Sequence, residues 1–138
     1  MREILFRGQT RKKGEKVRLD GTPVDGNWVY GGVAQFNEER AIIYQTEPEF
    51  HKFPVYADTV GQYTGLTDKN GNKVFEGDIL FSSYIADSPS IEVVKWIYNG
   101  WHTQEGNLTP DMIDDVGIMP YSEVIGNVHD NPGLMKGE

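Results

Sequence analysis

The chain has 138 residues, no cysteine, and 13 Lys and Arg against 21 Asp and Glu, a formal net charge of −8. That length fits one compact domain or two intimate subdomains, and the missing cysteines exclude disulfides, thiolate catalysis and a cysteine-based zinc site. No apolar run nears the roughly 20 residues of a spanning helix, and the N-terminus lacks a signal-peptide apolar region, so a cytoplasmic, non-membrane protein is expected.

Sixteen glycines separate short β-branched and aromatic runs, the pattern of many strands joined by tight turns. The first predicted strand covers 3–8. It lies in a basic segment: residues 1–20 hold seven basic and three acidic side chains, whereas the other 118 hold six and 18. Arg11, Lys12, Lys13, Lys16 and Arg18 follow, punctuated by Gly8, Gly14 and Gly21. This stretch reads as a solvated hairpin loop. A nucleic-acid-binding arm is the second reading, disfavoured because the acidic body repels phosphate.

A strand at 27–35 comes next, with a Gly31-Gly32 pair that permits a bulge or close backbone approach. Another lies at 41–45. The stretch 37–54 is polar around 41–44 and contains Pro48 and Pro54, so it reads as the boundary region between subdomains over 1–58 and 59–138. Strands at 59–63, 78–83, 91–98, 100–105 and 123–128 complete the pattern. Asn70-Gly71 and Asn99-Gly100 each signal a two-residue hairpin turn, because both residue types tolerate positive φ. Val74 and Phe75 then return antiparallel to 63–66, which puts Tyr63 and Phe75 within reach as a cross-strand aromatic pair. Helical signal is confined to Thr109 to Asp115, where Thr caps, Pro110 starts and Gly117 ends about two turns, and to one turn near 132–135.

No motif carries evident chemistry. His51, His102 and His129 lack metal-ligand spacing, and there is neither a phosphate loop nor a nucleophile elbow. Glu76 and Asp78 flank Gly77. As an acid pair they would need further oxygen ligands to hold Mg²⁺, whereas as a corner Asp78 would accept backbone N–H bonds. Gly65, Asn70, Gly71, Gly77 and Asp78 are therefore read as structural turn residues, and no cofactor, metal or catalytic residue is expected. Trp28, Tyr30, Tyr63, Phe75, Phe81, Trp96, Tyr98 and Trp101 fall on predicted strands and supply core. Tyr98 and Trp101, flanking Asn99-Gly100, are candidates for an exposed ligand-binding face.

The run from Val60 to Leu80, with Tyr63-Thr64-Gly65-Leu66, Asp68-Lys69-Asn70-Gly71 and Phe75-Glu76-Gly77-Asp78, resembles the signature block of the YopX family of phage and prophage proteins. Residues 2–8, Trp28-Val29-Tyr30-Gly31 and the stretch from Val124 to Pro132 fit the same family in order. The basic stretch 9–26 is longer than the tight turn common in that family. The resemblance implies a mainly β fold, with an N-terminal β subdomain, an SH3-like barrel portion and at most one or two short helices. It implies no recognised catalytic set. The expectation is a non-enzymatic protein-binding or regulatory module acting on a phage or host protein in the bacterial cytoplasm, with a homo-oligomer plausible through exposed strand edges. Nucleic-acid association through the loop 7–18 is the alternative.

Overall fold

The computed structural model describes residues 4–12, 19–20, 27–35, 37–46, 48–83, 90–97, 100–104, 111–112 and 119–136. The described residues are mainly strand: β1 (Phe6–Arg11), β2 (Asn27–Gln35), β3 (Arg40–Gln45), β4 (His51–Tyr56), β5 (Gly61–Thr67), β6 (Lys73–Phe75), β7 (Asp78–Ser82), β8 (Ser90–Ile97), β9 (Gly100–Gln104), β10 (Asp111–Met112) and β11 (Ser122–Asn127). Short 3₁₀ turns at Ala57–Thr59, Met119–Tyr121 and Pro132–Lys136 are their helical content. The chain divides into two units, 1–62 and 63–138, parting inside β5.

In the first unit the antiparallel strands run in the order β4-β3-β2-β1, with Gly61 and Gln62 of β5 beside β1. β3 carries the apolar run Ala41-Ile42-Ile43-Tyr44, of which Ala41 and Ile43 point inward, fully buried, and pack with Val29 and Val55. Each such valine or isoleucine side chain removed from water contributes roughly 1.5–3 kcal/mol. Gly31 lets β2 approach β3. A Cβ at that position would stand 1.9 Å from the Tyr44 carbonyl oxygen, a distance no side-chain rotation relieves. The polar stretch 37–54, expected as a boundary, is instead the β3–β4 hairpin of this unit, paired from Arg40↔Tyr56 to Gln45↔His51. Pro54 hid β4 from sequence reading; it is tolerated because β4 ends its strand order, where one face of the backbone needs no N–H donor. Part of the strand expected at 59–63 is the 3₁₀ turn, where Thr59 Oγ1 accepts the Gln9 N–H (2.9 Å) and donates to the Tyr56 carbonyl (2.6 Å).

In the second unit, β5 from Tyr63 onward pairs with β6, and a five-stranded antiparallel sheet runs β10-β9-β8-β7-β11. Val74, Leu80 and Val94 form its buried core, with Leu66, Trp101 and Val124 packed against them. Tyr63 lies opposite Phe75, ring centroids 5.6 Å apart. Neither strand order is closed into a ring by a pairing among the described residues, so a closed SH3-like barrel is not among the features seen. The helix expected from residue 109 is overturned at Asp111 and Met112, which pair with Thr103 and His102 as β10. A two-turn helix is marginal without packing, and a sheet edge satisfies the same backbone groups. The other residues of that expected helix lie outside those described.

Two turns differ in detail from expectation. The Gly71 N–H donates to the Asp68 carbonyl (3.0 Å) and the Asp68 N–H to the Asn72 carbonyl (2.9 Å), so three residues, 69–71, close the β5–β6 hairpin rather than two. Gly71, at φ +83°, supplies the left-handed step that such three-residue loops use. At the next hairpin Ile97 pairs with Gly100, so Gly100 opens β9, and the two linking positions, 98 and 99, lie outside the described residues.

Candidate functional site

The five-stranded sheet brings two tryptophans together. Trp96 lies directly opposite Trp101, with ring centroids 4.9 Å apart and planes at 74°, an edge-to-face pair. Trp101 reaches down onto the Val74–Leu80–Val94 core, which fixes its ring. Trp96, by contrast, is 51% exposed. A large, rigid apolar side chain is thereby held at the surface on a buried support. The sequence nominates Trp101 and Tyr98 for such a face; Trp101 is the anchored partner, and Tyr98 lies outside the described residues. Trp96 is the residue that sequence reasoning misses, since it falls among the core candidates. Its parity along β8 matches that of the buried Glu92 and Val94, but Val93 of the opposite parity is buried too, so alternation does not decide which way Trp96 points. The available signal was its place at the end of β8, beside the Asn99-Gly100 turn.

The basic residues have a different setting. Lys13, Lys16 and Arg18 lie outside the described residues. Arg11 ends β1, half-buried. The Lys12 Nζ sits 2.9 Å from the Asp58 Oδ2 and 4.8 Å from the Tyr56 ring centroid, and the Arg40 guanidinium lies 3.9 Å from the same centroid. With Glu38 and Glu39 these groups line a cleft of about 340 Å³. The cleft is of mixed sign, and Lys12 already faces a carboxylate.

The buried carboxylates are engaged within the fold, Asp68 and Asp78 by backbone N–H groups and Glu92 by two hydroxyls. Asp68, 5% exposed, accepts N–H bonds from Asn70 and Asn72 on Oδ1 and from Val124 on Oδ2, each at 2.9 Å. It thereby ties the β5–β6 turn to β11. Burial alone raises this carboxyl, but the backbone bonds from Val124, Asn72 and Asn70 and the Asn72 side-chain amide outweigh it and hold it below the ordinary 3.8. Asp78, 2% exposed, accepts the Phe75 N–H at 2.7 Å across the corner made by Gly77 (φ +89°). The Gly77 N–H donates to the Val94 carbonyl, and its own carbonyl accepts from Val128. Gly65, at φ +88°, sits in the register shift between Tyr63 and Thr67. Glu92 is buried in β8 and accepts from the Thr103 hydroxyl (2.7 Å) and the Ser90 hydroxyl (2.6 Å).

His51 lies exposed against Phe53, His102 is buried with Nδ1 3.0 Å from the Gly100 carbonyl, and His129 follows β11. Among the described residues no group of three or more His, Asp or Glu is placed to hold a metal ion, and no helix is long and apolar enough to cross a membrane.

Antiparallel sheets, glycine corners and backbone-bonded acids define a mainly β protein. The chain belongs to the YopX family: the family model described as YopX protein matches residues 7–136. The fold is similar to the crystal structure of protein EF1440 from Enterococcus faecalis, at 19% identity and a TM-score of 0.55 over 98% of this chain and 99% of that one. No curated protein matches the sequence.

Proposed function

We propose that this YopX-family protein is a phage-encoded, non-enzymatic binding module that docks a phage or host protein in the bacterial cytoplasm through the β8–β9 face around Trp96. The observation that carries this reading is the half-exposed Trp96 ring held edge-on against the core-anchored Trp101. Tryptophan is enriched among residues that dominate binding energy, and a ring already fixed by its neighbour loses little side-chain entropy on docking. Support also comes from the carboxylates: Asp68, Asp78 and Glu92 are each hydrogen-bonded within the fold, which gives them structural work in place of acid–base chemistry.

The reading is tested by affinity capture from phage-infected host lysate with the wild-type protein, Trp96→Ala, and Phe50→Ala as control, since Phe50 is also exposed, at 60%, but lies in the first unit. A specific protein should be retained by wild type and Phe50→Ala and fall at least about tenfold with Trp96→Ala. Equal capture by all three overturns the assignment. Capture of nucleic acid that fades steeply with salt would instead favour the basic loop 7–18.

A further inference from the structure

The β5–β6 turn holds an Asn-Gly dipeptide, Asn70-Gly71, on an exposed loop. In such a pair the glycine nitrogen is unhindered by any neighbouring Cβ and can attack the asparagine Cγ. Here the attacking nitrogen is occupied. The Gly71 N–H donates to the Asp68 carbonyl at 3.0 Å, the Asn70 N–H donates to Asp68 Oδ1 at 2.9 Å, and Gly71 is pinned at φ +83°. The same Asp68 carboxylate is fastened from its other oxygen to the Val124 N–H. Independently of the docking reading, we propose that Asn70 is a latent deamidation site that the Asp68 latch holds closed, so that it is modified only when the β5–β6 turn opens.

The step is balanced without any co-reactant but water. The Gly71 nitrogen bonds to the Asn70 Cγ, the bond from Cγ to the amide nitrogen Nδ2 breaks, and ammonia leaves carrying the proton lost by the Gly71 nitrogen. Water then opens the succinimide ring, giving an aspartate or an isoaspartyl linkage at position 70. Either product changes the turn. The Asn70 Nδ2 lies 3.5 Å from the Glu123 Oε2, so a carboxylate there replaces a weak donor contact with like-charge repulsion, beside a buried Asp68 that is already ionised. An isoaspartyl linkage also lengthens the backbone within a loop whose closure depends on its length. The modified turn should therefore fail to re-form the bond between Asp68 and Val124 fully.

The test follows the native full-length protein by peptide mapping with mass spectrometry during incubation at mildly alkaline pH, beside the same protein in urea and the Asp68→Asn variant. Opening of a turn is fast relative to this chemistry, so the rate tracks the population of the open form. Native Asn70 should deamidate at least about tenfold more slowly than in urea, and Asp68→Asn should recover much of that difference while keeping the β-sheet circular dichroism. If that variant unfolds, wild type in urea well below its transition replaces it, and the rate at Asn70 should rise before global unfolding. In the modified protein the Val124 amide should exchange its hydrogen faster. Equal native and denatured rates at Asn70, or an unchanged Val124 amide after modification, overturn the proposal.

Discussion

The two units bury polar groups of opposite character. Among the described residues of the first unit, the buried polar side chains are a cation, Arg7, with its guanidinium 4.5 Å from the Trp28 ring centroid, and the neutral Gln9 and Thr59. Those of the second include three carboxylates, Asp68, Asp78 and Glu92. The first unit gains its tightness from absent side chains, at Gly31 against Tyr44 and at Gly8, where a Cβ would lie 2.8 Å from Val55 Cγ2. The second, where Gly126 likewise leaves room for Asn131, is held further by acids that gather N–H and O–H donors. A steric closure depends little on pH, whereas an ionised acceptor does. The difference predicts that the two units respond to different perturbations.

The largest effect should come from breaking the steric closure. Gly31→Ala drives a Cβ into the Tyr44 carbonyl, a backbone atom that cannot rotate away, and should cost more than about 3 kcal/mol or prevent the first unit from folding. At the neighbouring Gly32 a Cβ would meet no atom within 4 Å, and Gly32→Ala should change stability by no more than about 0.5–1 kcal/mol. Urea denaturation of both variants measures the contrast, and similar losses would dissolve the distinction between the units.

Breaking an acid corner should rank next. Asp78→Ala leaves the Phe75 N–H without its 2.7 Å acceptor in a buried site and should cost about 2–3 kcal/mol, read as a lower urea midpoint at unchanged slope. Asp68→Asn keeps the shape but sets an amide among N–H donors, for about 1–2 kcal/mol.

Asp68 also sharpens the comparison through pH. Its folded-state value is depressed, so the carboxylate contributes stability that is present above the ordinary 3.8 and is lost as pH falls through the lower folded value. Thermal melts from neutral pH downward should show the wild type losing stability below about pH 4, and Asp68→Asn should flatten part of that fall. An identical acid profile in the variant would remove Asp68 as a source of it.

How much of this was legible depended on how local each cause is. β2 was readable over its whole span because Trp28, Val29, Tyr30 and Val33 surround a glycine pair, and the Tyr63–Phe75 pairing followed from a hairpin of short separation. β4 was obscured by Pro54, whose tolerance depends on strand order. Trp96 shares its strand parity with two buried residues, so its exposure reflects how far the packing over β8 extends, which alternation does not encode. The Asp68 latch was out of reach because its partner Val124 lies 56 residues away, a closure that no turn motif encodes. β10 was likewise hidden: Asp111 resembles a helix start until β9 offers it an edge.

The smallest effect should come from the first unit's most visible electrostatic contact. Lys12 and Asp58 meet at 2.9 Å, but their side chains are 43% and 67% exposed, so water and salt screen the attraction, and ordering two side chains offsets much of it. Lys12→Ala should therefore change stability by less than about 0.5 kcal/mol, and a rise in salt should barely move the wild-type urea midpoint of this unit. The ammonium also lies 4.8 Å from the Tyr56 centroid, yet the Arg40 guanidinium at 3.9 Å remains to cover that ring when Lys12 is gone. A loss beyond about 1 kcal/mol would mean that surface charge supports the first unit as much as its glycine-permitted packing does, and the contrast with the acid-held second unit would then weaken.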